Sequence, residues 1–224
     1  MDRERLAQEL AARSLPSSPD FLDAFERFEE DLYAQNAVMN LTRVPREESW
    51  IRHILDSLLF VDLIPHEAEL LDIGTGPGFP AWPIALVRPD DQVMAMDSSG
   101  KMLGFMNRHP LPNLSPVQMR AEECGFLEAF DVVTGRAVAP YGTQLELSAA
   151  ATKVGGAVIP MRTVNELEAI KTFNAGRLGL SLASIETRPL PGTDIVRVFP
   201  VLRKVRPTPS EFPRRWADIK KRPL

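Results

Sequence analysis

The sequence has few of the residues that form disulfides and metal centres, and no segment that could span a membrane. Cys124 is the only cysteine among 224 residues, which excludes an internal disulfide and is typical of a reducing compartment. Three histidines without an H-E-x-x-H pattern argue against a zinc site. No apolar run approaches the roughly 18 residues of a membrane span. We therefore expect a cytoplasmic protein with no metal and no membrane segment.

A net positive charge is found only at the C-terminus. The formal net charge is -4 for the whole chain, -9 for residues 1–72 and +6 for residues 203–224. A basic tail of this kind is a candidate contact for phosphate groups, as in a nucleic acid. The charge alone fits a solubilising tail equally well.

The order of apolar segments predicts an α/β protein. Phe21, Phe25, Phe28 and Leu32 recur on one helical face, which indicates a helical N-terminus. From Glu69 onward, short apolar strands alternate with helices, and this alternation is typical of a parallel sheet. We predict strands at 69–73, 92–96, 115–119, 130–134 and 156–161, and helices at 47–59, 80–88, 100–108, 141–153 and 164–177. Two further runs, 180–186 and 194–202, predict an antiparallel edge hairpin.

One stretch, LLDIGTGPGFPAWPIAL at residues 70–86, places a glycine turn between a strand and a helix. Gly74 and Gly76 fit the dinucleotide pattern G-x-G-x-x-G, but Phe79 replaces its third glycine. A triphosphate loop would require G-K-[ST], which is absent here. Pro80 and Pro83 lack N–H groups that a phosphate would need. The turn therefore favours a nucleoside cofactor without phosphate, with S-adenosylmethionine the leading candidate.

Asp97 ends the second predicted strand, 23 residues after Gly74. A carboxylate in this position can accept hydrogen bonds from both ribose hydroxyls of a nucleoside. The same spacing occurs in nicotinamide-dependent enzymes, so a reductase stays an alternative on these residues alone.

Ordered motifs extend this interpretation over most of the chain. They are MNLTR at 39–43, RHILDSL at 52–58, the glycine turn, MDSSGK at 96–101, RAEE at 120–123, FDVVTGRAVA at 130–139 and FPRRWADIKKRPL at 212–224. With these motifs the chain resembles the RsmG (GidB) family, bacterial enzymes that methylate N7 of a guanine in small-subunit (16S) ribosomal RNA. The resemblance implies a Rossmann-like class I methyltransferase fold, with a mostly parallel seven-stranded sheet, and S-adenosylmethionine as cofactor.

The resemblance also implies partners and domain bounds. We expect a monomer that acts on small-subunit ribosomal RNA or on the ribosomal subunit. The expected parts are an N-terminal helical extension at 1–66, a methyltransferase domain at 67–204 and a basic tail at 205–224.

Site residues follow by position from the same resemblance. The expected cofactor-binding residues are Gly74, Gly76, Phe79, Asp97, Ala121, Glu122 and Arg136. The expected catalytic arginines are Arg136, Arg120 and Arg162. A helix carrying Arg52, His53, Asp56 and Ser57 should pack over the pocket. Within it, we expect a structural His53 and an ion pair between Arg52 and Asp56, one turn apart.

Three departures from the family pattern concern the substrate pocket. Arg162-Thr163 stands where the family usually has lysine and glycine, Gly135 where it often has serine, and the helix after Lys101 is short. Arginine keeps the charge of lysine but not its compact geometry. An RNA-binding relative that binds the cofactor without methylating is therefore a second hypothesis.

Overall fold

A single seven-stranded sheet organises the chain, and the computed structural model describes residues 1–224. The strand order is β3-β2-β1-β4-β5-β7-β6, with β7 antiparallel to both of its neighbours and the other pairs parallel. The strands are β1 (Glu69–Ile73), β2 (Gln92–Asp97), β3 (Leu114–Gln118), β4 (Phe130–Arg136), β5 (Thr152–Thr163), β6 (Leu180–Pro189) and β7 (Val196–Lys204). This arrangement confirms the predicted sheet and its antiparallel edge hairpin.

Eight α-helices surround the sheet. They are α1 (Arg3–Ala11), α2 (Pro19–Met39), α3 (Asp56–Leu58), α4 (Ala81–Val87), α5 (Gly100–Met106), α6 (Tyr141–Ala149), α7 (Leu167–Thr172) and α8 (Trp216–Lys221). Because β1 to β5 are parallel, their carboxyl ends meet at one edge, where ligands of such sheets bind.

The N-terminal helices share a hydrophobic core with the sheet. Phe28 of α2 stacks on Trp82 of α4 at a centroid distance of 4.1 Å and meets Phe79 and Phe105 edge-on. One apolar cluster includes residues of α1, α2, α4 and one face of the sheet. The helical extension therefore covers that face, and division of the chain after residue 66 stays a prediction.

Two predicted helices differ in detail. The segment predicted as a helix at 47–59 comprises a 3-10 turn (Arg46–Glu48), a π-helix (Trp50–Leu55) and then α3. The segment at 164–177 contains α7 between two 3-10 turns, Val164–Glu166 and Ala175–Leu178. Phe173, which follows α7, has extended backbone angles, so the hydrogen-bond ladder ends there.

The basic tail is docked on the domain. Arg214 forms an ion pair with the fully buried Glu146 of α6, and Ile219 of α8 is buried among sheet residues. Lys204, at the end of β7, is also buried. The exposed bases of the tail are Arg206, Arg215, Lys220, Lys221 and Arg222. The charges of Lys204 and Arg214 therefore stabilise the fold and are not free to contact a ligand. No helix in the chain is both long and apolar enough to cross a membrane.

Candidate cofactor and substrate cavities

The glycine turn after β1 has no free backbone donor. The N–H groups of Gly74 and Thr75 donate to Met96, and those of Gly78 and Phe79 donate to Thr75. Pro77 and Pro80 have no N–H, and the N–H groups of the remaining residues to Trp82 also donate within the protein. A phosphate at a helix start needs such N–H groups free. The turn is therefore unsuited to a pyrophosphate.

Each glycine of the turn has a positive φ. Gly74 has a φ of +69° and Gly76 one of +58°, a region that residues with a Cβ rarely adopt. A Cβ on Gly74 would also lie 3.1 Å from Val138 Cγ2. Below the turn, the fully buried Asp72 accepts a hydrogen bond from the Ala81 N–H, and burial raises the pKa of its carboxyl group to about 7.

Asp97 links the turn to the end of β2. Its Oδ2 accepts a hydrogen bond from the Gly76 N–H at 2.9 Å, and its Oδ1 accepts one from the Ser99 N–H at 2.8 Å. Each carboxylate oxygen can accept a second hydrogen bond. Asp97 therefore shapes the turn and can still accept two hydroxyl groups of a ligand.

A cavity of 310 Å³ lies beyond the carboxyl ends of β1, β2 and β4. Its walls include five of the residues expected at the site, Gly74, Asp97, Arg120, Ala121 and Glu122. The other lining residues are Ile73, Met96, Ser98, Met119, Ala137, Val138, Ala139, Leu147 and Trp216. We call this space the cofactor cavity.

Glu122 has an unsatisfied acceptor in this cavity. Its Oε1 is buried without a hydrogen-bond partner, and the nearest cation, Arg120 Nη1, is 3.6 Å away. That separation is too long for a hydrogen bond. A buried acceptor without a partner is unfavourable, so an amine or hydroxyl donor of a ligand would be stabilised here. Asp97 and Glu122 together give the cavity two acceptors suited to a nucleoside.

A second cavity of 200 Å³ adjoins the first, and the two share Ala137 and Ala139 as lining residues. It is lined by Arg136, Ala137, Ala139, Met161, Arg162, Thr163, Glu166 and Arg197. We call it the arginine cavity. The loop after β4 therefore borders both cavities, and ligands in the two spaces would meet beside residues 137–139.

Arg136 is fixed by a buried carboxylate that it shares with a second arginine. Arg136 Nη1 donates to Asp56 Oδ2 at 3.2 Å, and Arg197 donates to both Asp56 oxygens at 2.7 and 2.8 Å. Asp56 is fully buried, and burial lowers the pKa of the Arg136 guanidinium, against the opposing effect of Asp56. Two cations on one carboxylate leave a net positive charge at the arginine cavity.

Comparison of the chain with known proteins identifies its family. The model of the GidB family, described as rRNA small subunit methyltransferase G, matches residues 22–183. The chain belongs to this family. Relatives named Ribosomal RNA small subunit methyltransferase G include one from Lactobacillus delbrueckii subsp. bulgaricus, 33% identical over 100% of both chains. Another, from Lachnoclostridium phytofermentans, is 35% identical over 100% of this chain and 98% of its own.

Solved structures agree on the fold. A structure of TYW2 from M. jannaschii in complex with AdoMet has a TM-score of 0.56 and 16% identity, covering 68% of this chain and 76% of its own. A Burkholderia thailandensis N1-methyltransferase with bound S-adenosylhomocysteine has a TM-score of 0.53 and 17% identity, covering 81% and 89%. This GidB-family chain has the class I methyltransferase fold, and it is a methyltransferase that uses S-adenosylmethionine.

The three expected catalytic arginines do not converge on one point. Arg136 and Arg162 line the arginine cavity, whereas Arg120 lines the cofactor cavity with its side chain 56% exposed. Arg162 donates to the Ala139 carbonyl at 2.9 Å and to Gln144 Oε1 at 2.8 Å, and it pairs with Glu166. Arg162 therefore stabilises the loop of residues 137–139, which lines both cavities. Most of its N–H groups already donate to protein acceptors.

Three expected cofactor contacts, Gly76, Phe79 and Arg136, are not among the lining residues of the cofactor cavity. Phe79 is buried and stacks on His53 at a centroid distance of 4.2 Å, and Arg136 Cζ lies 5.4 Å from its ring centre. Gly76 acts through its N–H on Asp97. Arg136 lines only the arginine cavity, so the geometry gives no support to its expected contact with the cofactor.

The expected ion pair between Arg52 and Asp56 is wrong. Arg52 pairs with the exposed Glu48, and its carbonyl accepts from Arg136 Nη1. The π-helix between Arg52 and Asp56 has a wider turn than an α-helix, so these two side chains lie on different faces. Asp56 instead pairs with Arg136 and Arg197, which line the arginine cavity.

Sequence reasoning missed Arg197 and Trp216. Arg197 lies between Val196 and Val198 in β7, and an arginine within an apolar strand is an available signal for a buried partner. Gly135, a departure from the family pattern, fits this chain because a Cβ there would lie 2.7 Å from the Ile73 carbonyl oxygen.

His53 should make stability depend on pH. Its Nδ1 accepts from Arg136 Nη2 at 3.3 Å, so Nε2 carries the proton toward Thr42 Oγ1. Burial, with the nearby arginines, lowers the pKa of His53 from 6.5 to about 3. The unfolded chain then binds a proton that the folded protein excludes, so the contribution of His53 to stability falls as pH drops below 6.5. From pH 7.5 to pH 5 we expect His53 alone to lower the free energy of unfolding by about 2 kcal/mol, whereas Asp72, whose pKa is raised to about 7, acts in the opposite direction.

Denaturant unfolding of the protein and of His53→Asn at the two pH values isolates this contribution. Asparagine keeps an acceptor near the Nδ1 position and does not titrate, so from pH 7.5 to pH 5 the stability of His53→Asn should change by about 2 kcal/mol less in the destabilising direction than that of the unsubstituted protein. His66→Asn, at an exposed histidine, is the matched control and should not change the pH dependence. An identical pH dependence in His53→Asn would show that His53 is not neutral in the fold.

Proposed function

We propose that this GidB-family chain transfers a methyl group from S-adenosylmethionine to N7 of a guanine in small-subunit ribosomal RNA. The observation that carries the proposal is the pair of adjoining cavities that share Ala137 and Ala139. The cofactor cavity has two acceptors suited to a nucleoside and no free backbone N–H groups for a phosphate, and the arginine cavity is lined by three arginines. The family description and the names of the relatives support ribosomal RNA as the substrate.

The cofactor cavity would bind the nucleoside part of S-adenosylmethionine. Asp97 would accept hydrogen bonds from the ribose hydroxyls, and Glu122 would accept one from a polar group of the adenosine. The bound cofactor supplies an electrophilic methyl group. Ile73, Met96 and Leu147 supply apolar walls that exclude water, which strengthens these contacts.

The arginine cavity would bind the guanine. N7 of guanine has a lone pair and no proton, so the reaction needs no general base. The absence of a base requirement agrees with the state of His53, because both of its ring nitrogens are already hydrogen-bonded, to Arg136 and to Thr42. Arg136 would donate to guanine O6 or to a flanking phosphate, because N7 itself must stay free to react. Arg197 would keep Arg136 in place through Asp56, and the rate would come from positioning.

The chain would bind RNA through exposed bases. Arg120 at the rim of the cofactor cavity and Arg215, which is 90% exposed, are candidate phosphate contacts. Ion contacts of this kind weaken as salt rises. We further propose that the protein acts as a monomer in the cytoplasm, where ribosomal RNA is assembled into subunits.

Transfer of labelled methyl groups tests this function. The protein should label unmethylated small-subunit RNA, or the small subunit, and leave large-subunit RNA unlabelled. Binding of S-adenosylhomocysteine without any labelling would favour the second hypothesis, a relative that binds RNA without methylating. Binding of NADH in place of S-adenosylhomocysteine would overturn the cofactor assignment.

A further inference from the structure

The cofactor cavity has one wall that comes from the C-terminal tail. Trp216, the first residue of α8, lines the cavity together with Ala121 and Glu122. Its surface is 38% exposed, whereas Trp50 and Trp82 are 5% and 3% exposed. A large aromatic ring left partly exposed at the edge of a ligand cavity indicates a ligand contact, because burial there would be favourable.

The tail is anchored on both sides of Trp216. Before it, the Arg214 backbone N–H and guanidinium donate to Glu146 Oε1 at 2.9 and 2.8 Å. After it, Ile219 is 1% exposed and belongs to the same apolar cluster as Ile73, Met96 and Ala121, which are walls of the cavity. Trp216 is therefore held at the rim by contacts that do not involve the indole itself.

We propose that Trp216 contacts the adenosyl group of S-adenosylmethionine, so that the docked C-terminal tail forms part of the cofactor site. The indole adds an aromatic surface to a cavity whose polar acceptors, Asp97 and Glu122, suit the ribose and the adenosine edge. Base–aromatic stacking contributes enough to change affinity between about fivefold and a hundredfold. This inference rests on the assignment of the cavity to S-adenosylmethionine.

Calorimetry with S-adenosylhomocysteine tests the contact on the full chain. Trp216→Leu fills the space without a π-face and should weaken binding by at least about fivefold. Trp216→Phe keeps an aromatic face and should bind within about threefold of the unsubstituted protein. Adenosine alone should show the same order of affinities. Glu211→Gln, at an exposed position of the same tail, is the matched control.

Tryptophan fluorescence gives a second readout. Because Trp50 and Trp82 are buried, S-adenosylhomocysteine should change the emission of Trp216, and this change should disappear in Trp216→Phe. Equal affinity in Trp216→Leu and the unsubstituted protein would overturn the inference, as would an emission change that persists in Trp216→Phe. A loss confined to RNA binding would also overturn it, since Trp216 would then contact the RNA. If the unsubstituted protein binds no S-adenosylhomocysteine, the cofactor assignment itself fails.

Discussion

Arg136→Lys should lower methyl transfer to small-subunit RNA by at least about a hundredfold, the size of effect that a misplaced reacting group causes. Lysine keeps a positive charge for the buried Asp56 but loses the planar fork that reaches Asp56, the Arg52 carbonyl and His53 at once. The guanine would then lose its fixed donor. Single-turnover methylation measures the loss.

The same variant should leave the cofactor cavity almost unchanged, because Arg136 lines only the arginine cavity. We expect affinity for S-adenosylhomocysteine within about threefold of the unsubstituted protein, which is less than 1 kcal/mol. Arg177→Lys, at an exposed arginine outside both cavities, is the matched control and should methylate normally. Normal methylation by Arg136→Lys would show that the Arg136 guanidinium takes no part in the reaction.

Asp97→Ala should reduce affinity for S-adenosylhomocysteine by about 30-fold or more, which corresponds to about 2 kcal/mol. The change removes the acceptor for the ribose hydroxyls, and it also leaves the N–H groups of Gly76 and Ser99 without their partner. Hydrogen bonds to a charged group contribute about 1.5–3 kcal/mol each, so the expected loss is of this size. Calorimetry measures it directly.

Asp90→Ala is the control for this substitution. Asp90 is an exposed aspartate just before β2, at the opposite end of the strand from Asp97. The Asp90→Ala variant should bind S-adenosylhomocysteine with the affinity of the unsubstituted protein. If Asp97→Ala keeps full affinity, the cofactor does not lie against the end of β2.

The sheet could be predicted from the sequence because its signals are local. Alternation of apolar runs with helices identified five strands, and two further apolar runs identified the edge hairpin. The bounds predicted for β1, 69–73, are those of the structure. The glycine turn and Asp97 were also local signals. Both directly follow or end a predicted strand, and ligands of parallel sheets bind beyond the carboxyl ends of the strands. These residues lie together in the structure, where Asp97 accepts a hydrogen bond from the Gly76 N–H of the turn.

The arginine cavity could not be predicted in the same way. Asp56 and Arg197 are 141 residues apart, and they meet only because β7 lies beside β5 in the sheet. The π-helix that turns Asp56 toward the site has no clear sequence pattern. Trp216 was missed because composition showed the tail as basic, whereas its docking depends on Glu146, a buried acid in α6. Long-range contacts of this kind can be identified only from the folded structure.

The position of the methyl group on the RNA tests the central claim most directly. Methylation at N7 makes a guanosine sensitive to reduction followed by cleavage of the chain at that nucleotide. After treatment with this protein and S-adenosylmethionine, unmethylated small-subunit RNA should show one new cleavage, at a guanine. A methyl group found on another guanine atom or on a ribose hydroxyl, or only in large-subunit RNA, would contradict the account.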